Sequence, residues 1–275
     1  MKGSIKKLMK IGSFTVTFVV FFIYLLPLLW AVMSSIKDSS LIIAIPPVFL
    51  FKPTFSHYLR LHTEWIFYGK MWNSFVVSSI TAMICVVVGL PAAFVLARYR
   101  LGKDWLPIWI LSNRFLPIVA ILLPLFLMFR TWRLLDTYIV LILVYLIPNL
   151  PFSIWLLRGF ISDIPIDLDA AARVDGCGST GVLFRIILPL TSSAIAVVAI
   201  FVFLFSWNEF FIPLVLTNRN VVPVSVSFAG FKMKEWYDWG AMTAGAVVCL
   251  IPLFLMVMVL GQRIVRGMTL GAVKE

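Results

Sequence analysis

Charged residues are scarce in this 275-residue chain, since only 13% of the residues are Asp, Glu, Lys or Arg, whereas 62% are hydrophobic. Soluble domains carry about a quarter charged residues and about half apolar ones. The mean hydropathy of +1.04 reflects more apolar side chains than the core of a soluble domain of this length can bury. The composition therefore excludes an ordinary soluble protein and indicates a polytopic membrane protein.

The sequence also has few residues of the kinds that build metal sites and disulfide frameworks. Its three cysteines, Cys85, Cys177 and Cys249, are scattered and form neither a disulfide pattern nor a CxxC pair. The two histidines, His57 and His62, have no cysteine or carboxylate cluster beside them, so we interpret both as ordinary surface residues. We expect no metal site in this chain.

Two sequence patterns of enzymes are missing as well. Neither the G-x-x-x-x-G-K-[ST] loop of ATPases nor the G-x-S-x-G turn of serine hydrolases occurs in the sequence. The chain therefore lacks the means to hydrolyse ATP by itself. We predict that it is not an enzyme, that it contains no catalytic residue and that it binds no cofactor.

Long apolar runs dominate the rest of the sequence. A helix needs about 20 residues to cross a hydrocarbon core about 30 Å thick. The runs are continuous and do not alternate as the strands of a membrane barrel do, so they predict an all-α bundle of six transmembrane helices in a single domain over residues 1–275. The predicted spans are Ile11–Met33, Trp72–Ala97, Trp105–Phe129, Tyr138–Leu157, Leu190–Val215 and Ala241–Leu260.

The net charge of +11 indicates membrane orientation rather than nucleic-acid binding. Most basic residues lie in short gaps between apolar runs, where they would meet anionic lipid headgroups. An even number of spans puts both termini on one side of the membrane. The basic residues before the first span, Lys2, Lys6, Lys7 and Lys10, predict that this side is the cytoplasm.

A short polar segment, residues 165–189, separates the fourth and fifth predicted spans and is called the 165–189 loop below. Pro165 ends the preceding segment, and Asp167 is predicted as the N-cap of a short helix over Leu168–Asp175. Gly176 follows, and glycine can adopt the left-handed conformation that a helix C terminus often needs. The loop is therefore predicted to form a helix, a sharp turn and a second helix.

The residues of this loop carry a family resemblance. Ala171 and Ala172 precede Gly176, which is followed after nine residues by Ile186 and then Pro189. This spacing resembles the cytoplasmic coupling loop of importer-type ABC transporter permeases, E-A-A-x-x-x-G, nine residues, I-x-L-P. The resemblance implies that the chain is one half of a channel driven by separate ATPases. The coupling residues that it implies are Asp169, Ala171, Ala172, Asp175, Gly176, Ile186 and Pro189.

The loop departs from the family pattern at one position. The glutamate before the two alanines would fall at position 170, which is Ala170 here, while Asp169 lies one step earlier. On the predicted register a glutamate at that position would complete a capping box with its N-cap. Asp169 supplies the favourable negative charge near the helix N terminus but not that hydrogen bond.

Further stretches narrow the resemblance to the G-type subunits of carbohydrate importers, such as the maltose permease. They are the C-terminal tail Gln262–Lys274, Asn113-Arg114 followed by Pro117, residues 148–152, and Trp207-Asn208-Glu209. The resemblance implies a type I importer fold in the bacterial inner membrane and transport of an oligosaccharide, a polyol or a glycerol conjugate. It also implies a heterodimer with a homologous permease, two ATP-binding subunits that hold ATP and Mg, and a periplasmic or extracellular solute-binding protein. That protein would dock on Ser34–Lys70 and Thr217–Gly240.

Polar side chains inside the predicted spans are the candidates for the translocation path. Arg114 lies about ten residues into the third span, roughly 15 Å from its start, too deep for contact with lipid. Glu209 in the fifth span follows an aromatic and an amide side chain that would suit a sugar. The candidates are Asn113, Arg114, Asn149, Trp207, Asn208 and Glu209.

Two alternatives remain open on the sequence. Arg114 and Glu209 would either line the path or pair with each other or with a partner subunit, and Asn73 and Asn149 would more often bond a neighbouring helix than a substrate. The alternative function is an ion-coupled secondary transporter that uses Arg114 and Glu209. A structural or receptor-like membrane protein fits poorly, because charges within the membrane are costly without a role.

Overall fold

The structure is a computed structural model that describes residues 2–99, 101–103, 105–231 and 237–271. Side chains are described for residues 12–99, 101–103, 105–231, 237–259 and 261. Four helices are long and apolar enough to cross a membrane, and two bent helix pairs raise the number to six if each pair is one span. The predicted all-α class is confirmed.

The helices follow the apolar runs of the sequence. A 3₁₀ turn, Asn113–Phe115, and a π turn, Leu183–Ile187, lie between some of them. In chain order the helices are α1 (Lys2–Ser35), α2 (Ser39–Ile42), α3 (Ser56–Thr63), α4 (Phe67–Arg98), α5 (Trp105–Ser112), α6 (Ile118–Thr131), α7 (Tyr138–Ser162), α8 (Asp167–Val174), α9 (Ser179–Val182), α10 (Leu188–Leu190), α11 (Ser192–Asn208), α12 (Phe211–Leu216), α13 (Val224–Gly230) and α14 (Trp239–Gly271).

Two of the predicted spans are not continuous helices, and these predictions were wrong in that respect. The third span consists of α5 and α6, whose axes are bent by 79° at the residues before Ile118. The fifth span is bent by 76° at Thr191 and is interrupted again at Glu209 and Phe210, between α11 and α12. Non-helical backbone at membrane depth is tolerated where protein buries it or where it lines a cavity, which makes these breaks informative.

The chain divides into two compact units, and the first contains residues 1–68 and 228–251. Its core is aromatic: Phe67 is fully buried and stacks on Phe231 with ring centroids 5.8 Å apart. His57 is buried too, with Nε2 2.8 Å from the carbonyl oxygen of Lys37, so its interpretation as a surface residue was wrong. The ring lies directly against Gly240, where no Cβ would fit.

The second unit contains residues 69–227 and 252–275. Its core joins α4, α6, α7 and α12 through buried apolar side chains such as Val77, Phe129, Leu141 and Ile212. Asn73 ties α4 to this unit, because it accepts a hydrogen bond from the Tyr138 hydroxyl at 2.6 Å. Its amide also donates to backbone carbonyls near α13, so the structural role weighed for Asn73 is the one observed.

Candidate functional site

The first break lies in the third span, where Pro117 follows the 3₁₀ turn. Proline has no N–H to bond back to the preceding turn, and it disfavours the helical conformation in the residue before it. Leu116 is accordingly extended, with φ −63° and ψ 122°, and α6 starts after Pro117. The side-chain amide of Asn113 donates to the carbonyl of Trp109 at 2.9 Å and so satisfies the end of α5.

The second break lies between α11 and α12, and Glu209 forms it. Its Oε1 accepts hydrogen bonds from the backbone N–H groups of Phe211 at 3.0 Å and Ile212 at 3.2 Å, which satisfies the start of α12. Its own carbonyl accepts a hydrogen bond of 2.6 Å from the Ser225 hydroxyl. The carboxylate is therefore a helix cap, a role that the sequence reasoning did not assign to it.

Both breaks open onto one cavity of about 530 Å³ in the second unit, called the Arg114 cavity below. Small-molecule sites typically enclose about 300–1,000 Å³. The walls are mostly apolar, with a few polar groups from α7 and α11. The cavity is lined by Asn113, Arg114, Leu116, Ile118, Ile121, Tyr145, Ile147, Pro148, Asn149, Phe201, Leu204, Phe205, Ser206, Asn208, Glu209 and Ile212.

Arg114 is the one arginine of this wall, and aromatic faces hold it. Its guanidinium carbon lies 4.5 Å from the ring centroids of both Phe152 and Phe205. Its Nη1 donates to the carbonyl oxygen of Pro148 at 3.3 Å. Arg114 and Glu209 share the cavity but form no ion pair with each other, and no other described carboxylate pairs with Arg114.

Five of the six predicted path residues line the cavity, and Trp207 does not. Trp207 is 4% exposed and stacks on Phe203 with ring centroids 5.6 Å apart, so the prediction that it offers a flat surface to a sugar was wrong. Phe201 and Phe205, six and two residues before Trp207 on α11, provide the aromatic wall instead. Helical spacing within α11 would have separated these two faces, but the sequence does not say which face meets the cavity.

Asn149 faces both the cavity and α11. Its amide donates to the Tyr145 carbonyl at 2.8 Å and to the Ser206 hydroxyl at 3.4 Å. Two buried polar atoms of this wall have no hydrogen-bond partner within the described residues, namely Asn149 Oδ1 and the Tyr145 hydroxyl. Tyr145 was not among the predicted residues, because a tyrosine within an apolar run carries no distinctive signal.

The 165–189 loop forms the second candidate site. α8 starts at Asp167 with Ile166 as N-cap and without a side-chain cap, so the prediction of Asp167 as N-cap was wrong by one residue. Gly176 has a φ of +84°, which confirms the predicted left-handed turn. Its N–H bonds the carbonyl of Arg173, and the N–H of Cys177 bonds that of Ala172, which is the Schellman arrangement of a helix end.

Asp169 is an internal anchor of the loop. Its Oδ2 lies 2.8 Å from Nε of Arg98, the last residue of α4, and both side chains are 8% exposed. Arg98 also donates to the carbonyl of Ile164 at 3.0 Å. The acid that departs from the family spacing therefore joins α8 to α4 and is not free to contact a partner.

A second, exposed contact joins α4 to both halves of the loop. The Tyr99 hydroxyl lies 2.7 Å from the Ser179 hydroxyl and accepts a hydrogen bond of 3.1 Å from Arg173. These two contacts, with Ser179 first, lower the pKa of the Tyr99 phenol. The loop is thus attached at Arg98 and Tyr99, two adjacent residues that the sequence reasoning did not single out.

The other predicted coupling residues differ in accessibility. Ala171, Asp175, Gly176 and Pro189 are exposed, Ile186 is half-buried, and Ala172 is buried. The loop also exposes large apolar side chains that were not predicted, with Val174 at 88%, Ile166 at 62% and Phe184 at 57%. Exposed apolar side chains beside small ones are typical of a surface that contacts another protein.

Residues 176–181 read G-x-G-x-x-G, the spacing of a dinucleotide-binding loop. That loop needs a strand before it and a long helix after it. Here α8 precedes the glycines and α9 has only four residues, so the structural context of a dinucleotide site is missing in this part of the chain. The glycines serve the turn instead.

Both outer segments predicted to dock a partner contribute to a polar cluster in the first unit. Arg60 pairs with Asp238 at 2.7 Å and with Glu64 at 3.0 Å, and the contact with Arg60 lowers the pKa of Glu64. Tyr237 and Trp239 beside it are about half exposed. The neighbouring predicted contacts Lys232, Lys234, Glu235 and Trp236 lie outside the described residues, as do the side chains of the tail from Gln262 onward.

Comparison with known proteins agrees with this architecture. Residues 85–270 match the family model of the binding-protein-dependent transport system inner membrane component. The chain is 34% identical to the trehalose transport system permease protein SugB of Mycobacterium tuberculosis, over 91% of this chain and 92% of that protein. It is 28% identical to the sulfoquinovosyl glycerol transport system permease protein SmoH of Agrobacterium fabrum, over 91% and 89%.

Among solved structures, the fold is similar to a chain of a bacterial ABC transporter involved in the import of the acidic polysaccharide alginate. The TM-score is 0.75 with 20% identity, and the match covers 93% of this chain and 96% of that one. This likeness establishes the architecture, a type I ABC importer permease fold. With the family match over most of its length, the chain belongs to the binding-protein-dependent transport system inner membrane components, the multi-pass permeases of ABC importers.

Proposed function

We propose that this chain is the transmembrane permease subunit of an ATP-driven, binding-protein-dependent importer for a sugar or a sugar-like solute. The relatives named for trehalose and for sulfoquinovosyl glycerol support this class of solute, which includes oligosaccharides, polyols and glycerol conjugates. The observation that carries the proposal is the 165–189 loop, a rigid turn with exposed apolar side chains that is fixed to α4 by a buried ion pair.

The loop suits a contact that transmits force. The Schellman turn at Gly176 fixes the angle between α8 and α9, and Asp169 and Arg98 tie α8 to the end of α4. A partner that pushes on Val174 and Phe184 would therefore move α4 with the loop and would not merely bend it. We assign this partner as an ATP-binding subunit, which would hold ATP and Mg.

The remaining partners follow from the same function. A homologous permease would complete the channel, so that two loops contact two ATP-binding subunits. Both termini and the loop would face the cytoplasm, consistent with the basic residues before the first span. On the outer side, the cluster of Arg60, Tyr237 and Trp239 would contact a solute-binding protein.

In this mechanism ATP binding closes the two ATP-binding subunits and draws the loops together. The loops would carry the helices of each permease in a rocking motion that exposes the Arg114 cavity to one side of the membrane and then to the other. Interrupted helices at the cavity suit this transport function, because the polar groups at their ends can form hydrogen bonds with a hydrophilic solute at membrane depth.

The cavity does not favour an ion-coupled mechanism. Its only carboxylate within the described residues is Glu209, and one oxygen of that group already accepts two backbone N–H bonds. A site for a coupling metal cation would need several free oxygen ligands. The family of the chain likewise favours the ATP-driven mechanism over the secondary transporter.

The test is ATP hydrolysis by the purified complex in proteoliposomes, with a solute-binding protein of the same organism supplied together with its solute. We expect hydrolysis and uptake that require the ATP-binding subunits and that the binding protein stimulates. Uptake that follows an imposed ion gradient without ATP would contradict the proposal and support the secondary transporter.

A further inference from the structure

We propose that Arg114 binds an anionic group carried by the transported solute, so that the solute is a sugar or polyol bearing a carboxylate, sulfonate or phosphate. This inference rests on the proposed function, because it names the substrate of the same cavity. It depends on the contacts that hold Arg114, on the hydrogen bonds that Glu209 already accepts, and on two buried polar atoms of the same wall that have no partner among the described residues.

Arg114 is fixed in position but its charge is not neutralised by a described side chain. The faces of Phe152 and Phe205 hold the guanidinium at 4.5 Å each, and a single hydrogen bond of 3.3 Å reaches the carbonyl of Pro148. A guanidinium has five N–H donors in a planar fork. The donors left over line the cavity, and paired N–H donors of this kind match the two oxygens of a carboxylate, sulfonate or phosphate.

Glu209 does not supply the missing anion. It shares the cavity with Arg114 but forms no ion pair with it, and its Oε1 is turned toward the backbone N–H groups of Phe211 and Ile212. The start of α12 thus compensates the charge of Glu209, since a helix N terminus carries positive partial charge. One positive side chain in the wall is left for a ligand.

The rest of the wall suits the uncharged part of such a solute. The Tyr145 hydroxyl and Asn149 Oδ1 are buried, belong to residues that line the cavity, and have no partner among the described residues. A hydroxyl and an amide oxygen without partners are costly to bury; both atoms are closed to solvent in this conformation, so they would pair with sugar hydroxyl groups once a side-chain movement opens them to the cavity. Phe201 and Phe205 add flat apolar faces for the ring of a sugar.

A phospholipid headgroup carries the same anionic chemistry as a charged sugar. The volume of about 530 Å³ and the polar atoms from three side chains favour a hydroxylated solute over a single headgroup with apolar tails. The experiment must therefore separate a solute from a lipid. A neutral sugar would be a further outcome, in which Arg114 donates to hydroxyl groups only.

The experiment measures binding to the whole complex in phosphatidylcholine proteoliposomes, without the binding protein, so that its selectivity does not intervene. The probes are two radiolabelled disaccharides of equal size, a glucuronyl-glucose and the neutral glucosyl-glucose. Charge-assisted hydrogen bonds predict that the wild type binds the acidic probe at least about tenfold more tightly. Arg114→Gln should abolish this preference, and Arg114→Lys should keep part of it, because lysine retains the charge without the fork.

The matched control is Arg130→Gln, which removes an exposed cation at the end of α6 outside the cavity and should keep the full preference. Equal binding of the two probes by the wild type, or an unchanged preference in Arg114→Gln, would overturn the inference. Competition between added phosphatidylglycerol and the acidic probe in the wild type, but not in Arg114→Gln, would also overturn the inference, because it would identify a lipid as the ligand.

Assembly and ATP-dependent uptake are measured on the same preparations. A preparation that hydrolyses ATP and takes up solute but shows no acid preference refutes the substrate inference alone. A preparation in which uptake never depends on ATP refutes the proposed function. If Arg114→Gln does not assemble, Arg114→Lys carries the test, and a preference equal to that of the wild type would count against recognition by the planar fork.

Discussion

The 165–189 loop and the Arg114 cavity hold their arginines in opposite ways. At the loop, Arg98 is buried against Asp169 at 2.8 Å, and the exposed surface includes small and apolar side chains such as Ala171 and Val174. At the cavity, the wall is apolar and Arg114 contacts aromatic rings and one carbonyl, with no described carboxylate paired to it. Asp169 neutralises the charge of Arg98 within the chain, whereas the charge of Arg114 remains available to a ligand.

This difference separates a mechanical role from a binding role. A buried ion pair holds two helices together but offers nothing to a ligand, and removing one partner leaves an uncompensated charge. An arginine held by aromatic faces is positioned without being neutralised, and such a group is ready to bind an anion. The predictions below test each side of this comparison.

The largest effect is expected at Gly176, where the rigidity of the loop is tested. Gly176→Val places a branched residue at φ +84°, which costs on the order of 1 kcal/mol or more, although a Cβ there meets no described residue other than its two chain neighbours within 4 Å. We expect the subunit to insert, while binding-protein-stimulated ATP hydrolysis and uptake both fall by about 10²-fold, since displaced positioning elements have effects of this size.

Gly178→Ala is the matched control for this variant. Gly178 has an ordinary φ of −73° and the same open surroundings, so alanine should preserve transport. If Gly176→Val transports at the wild-type rate in proteoliposomes, the loop does not work as a rigid joint.

The next effect concerns stability and compares the two arginines directly. Arg98→Gln leaves the carboxylate of Asp169 buried without a partner, which should cost about 3–5 kcal/mol of unfolding free energy. Arg114→Gln removes contacts with aromatic rings and one hydrogen bond to the Pro148 carbonyl, worth about 1 kcal/mol each. Thermal unfolding of the detergent-purified complex measures both, and Arg98→Met combined with Asp169→Leu should recover most of the loss. Equal destabilisation by the two single variants would contradict the comparison.

A smaller effect is expected at Asp136, whose carboxylate is satisfied by backbone instead of an arginine. Burial raises the pKa of Asp136, but N–H groups of residues 218–221 bond its two oxygens at 2.9–3.1 Å and bring the pKa below its ordinary value. Asp136→Asn keeps the left-handed backbone that asparagine tolerates but loses charged acceptors, so it should cost about 1–3 kcal/mol.

The pH dependence of this contribution has a defined sign. Because the folded-state pKa lies below the unfolded value of about 3.9, the carboxylate stabilises the fold above about pH 4. The contribution is lost as the pH falls through the folded-state pKa. The Asp136→Asn variant should therefore be less stable than the wild type, with the largest difference above pH 4, and its stability should change less as the pH falls. The stability of Asp175→Asn, a variant at an exposed position, should match that of the wild type across the same pH range.

The smallest effect is expected at Tyr99, the exposed attachment of the loop. Tyr99→Phe removes the hydroxyl that contacts Ser179 and accepts from Arg173, and because the position is exposed the loss of stability should be slight. We expect nearly normal uptake with a modest rise in ATP hydrolysed per solute transported. A loss of uptake as large as that of Gly176→Val would mean that Tyr99, and not the turn, is the principal joint.

The sequence predicted the features that depend on local pattern. Apolar runs located the membrane-spanning segments, and the spacing around Gly176 indicated both the family and the left-handed turn. It failed where long-range packing decides. Proline interrupts the third span at Pro117, yet α7 accommodates Pro148 and Pro151 without a break, so proline alone does not mark one.

The second break was less predictable still. Pro213, four residues after Glu209, cannot donate to the Glu209 carbonyl, and the Glu209 carboxylate caps the helix that follows. The faces of Trp207 and Phe205, the burial of His57 and the pairing of Asp169 with Arg98 depend on neighbours that are distant in the sequence, such as Gly240 for His57. No local pattern carries that information.

The central claim, that ATP-binding subunits drive this permease through the 165–189 loop, is tested most directly by cross-linking. Cys85, Cys177 and Cys249 are first replaced by alanine, and Ala171→Cys is then oxidised together with cysteines placed in the surface groove of the ATP-binding subunit. Ala171 is exposed on α8, so we expect a cross-link whose yield changes when ATP is added, whereas Ala172→Cys, one residue on and 6% exposed, should give little. The absence of any cross-link at Ala171 in a complex that transports solute would contradict the claim.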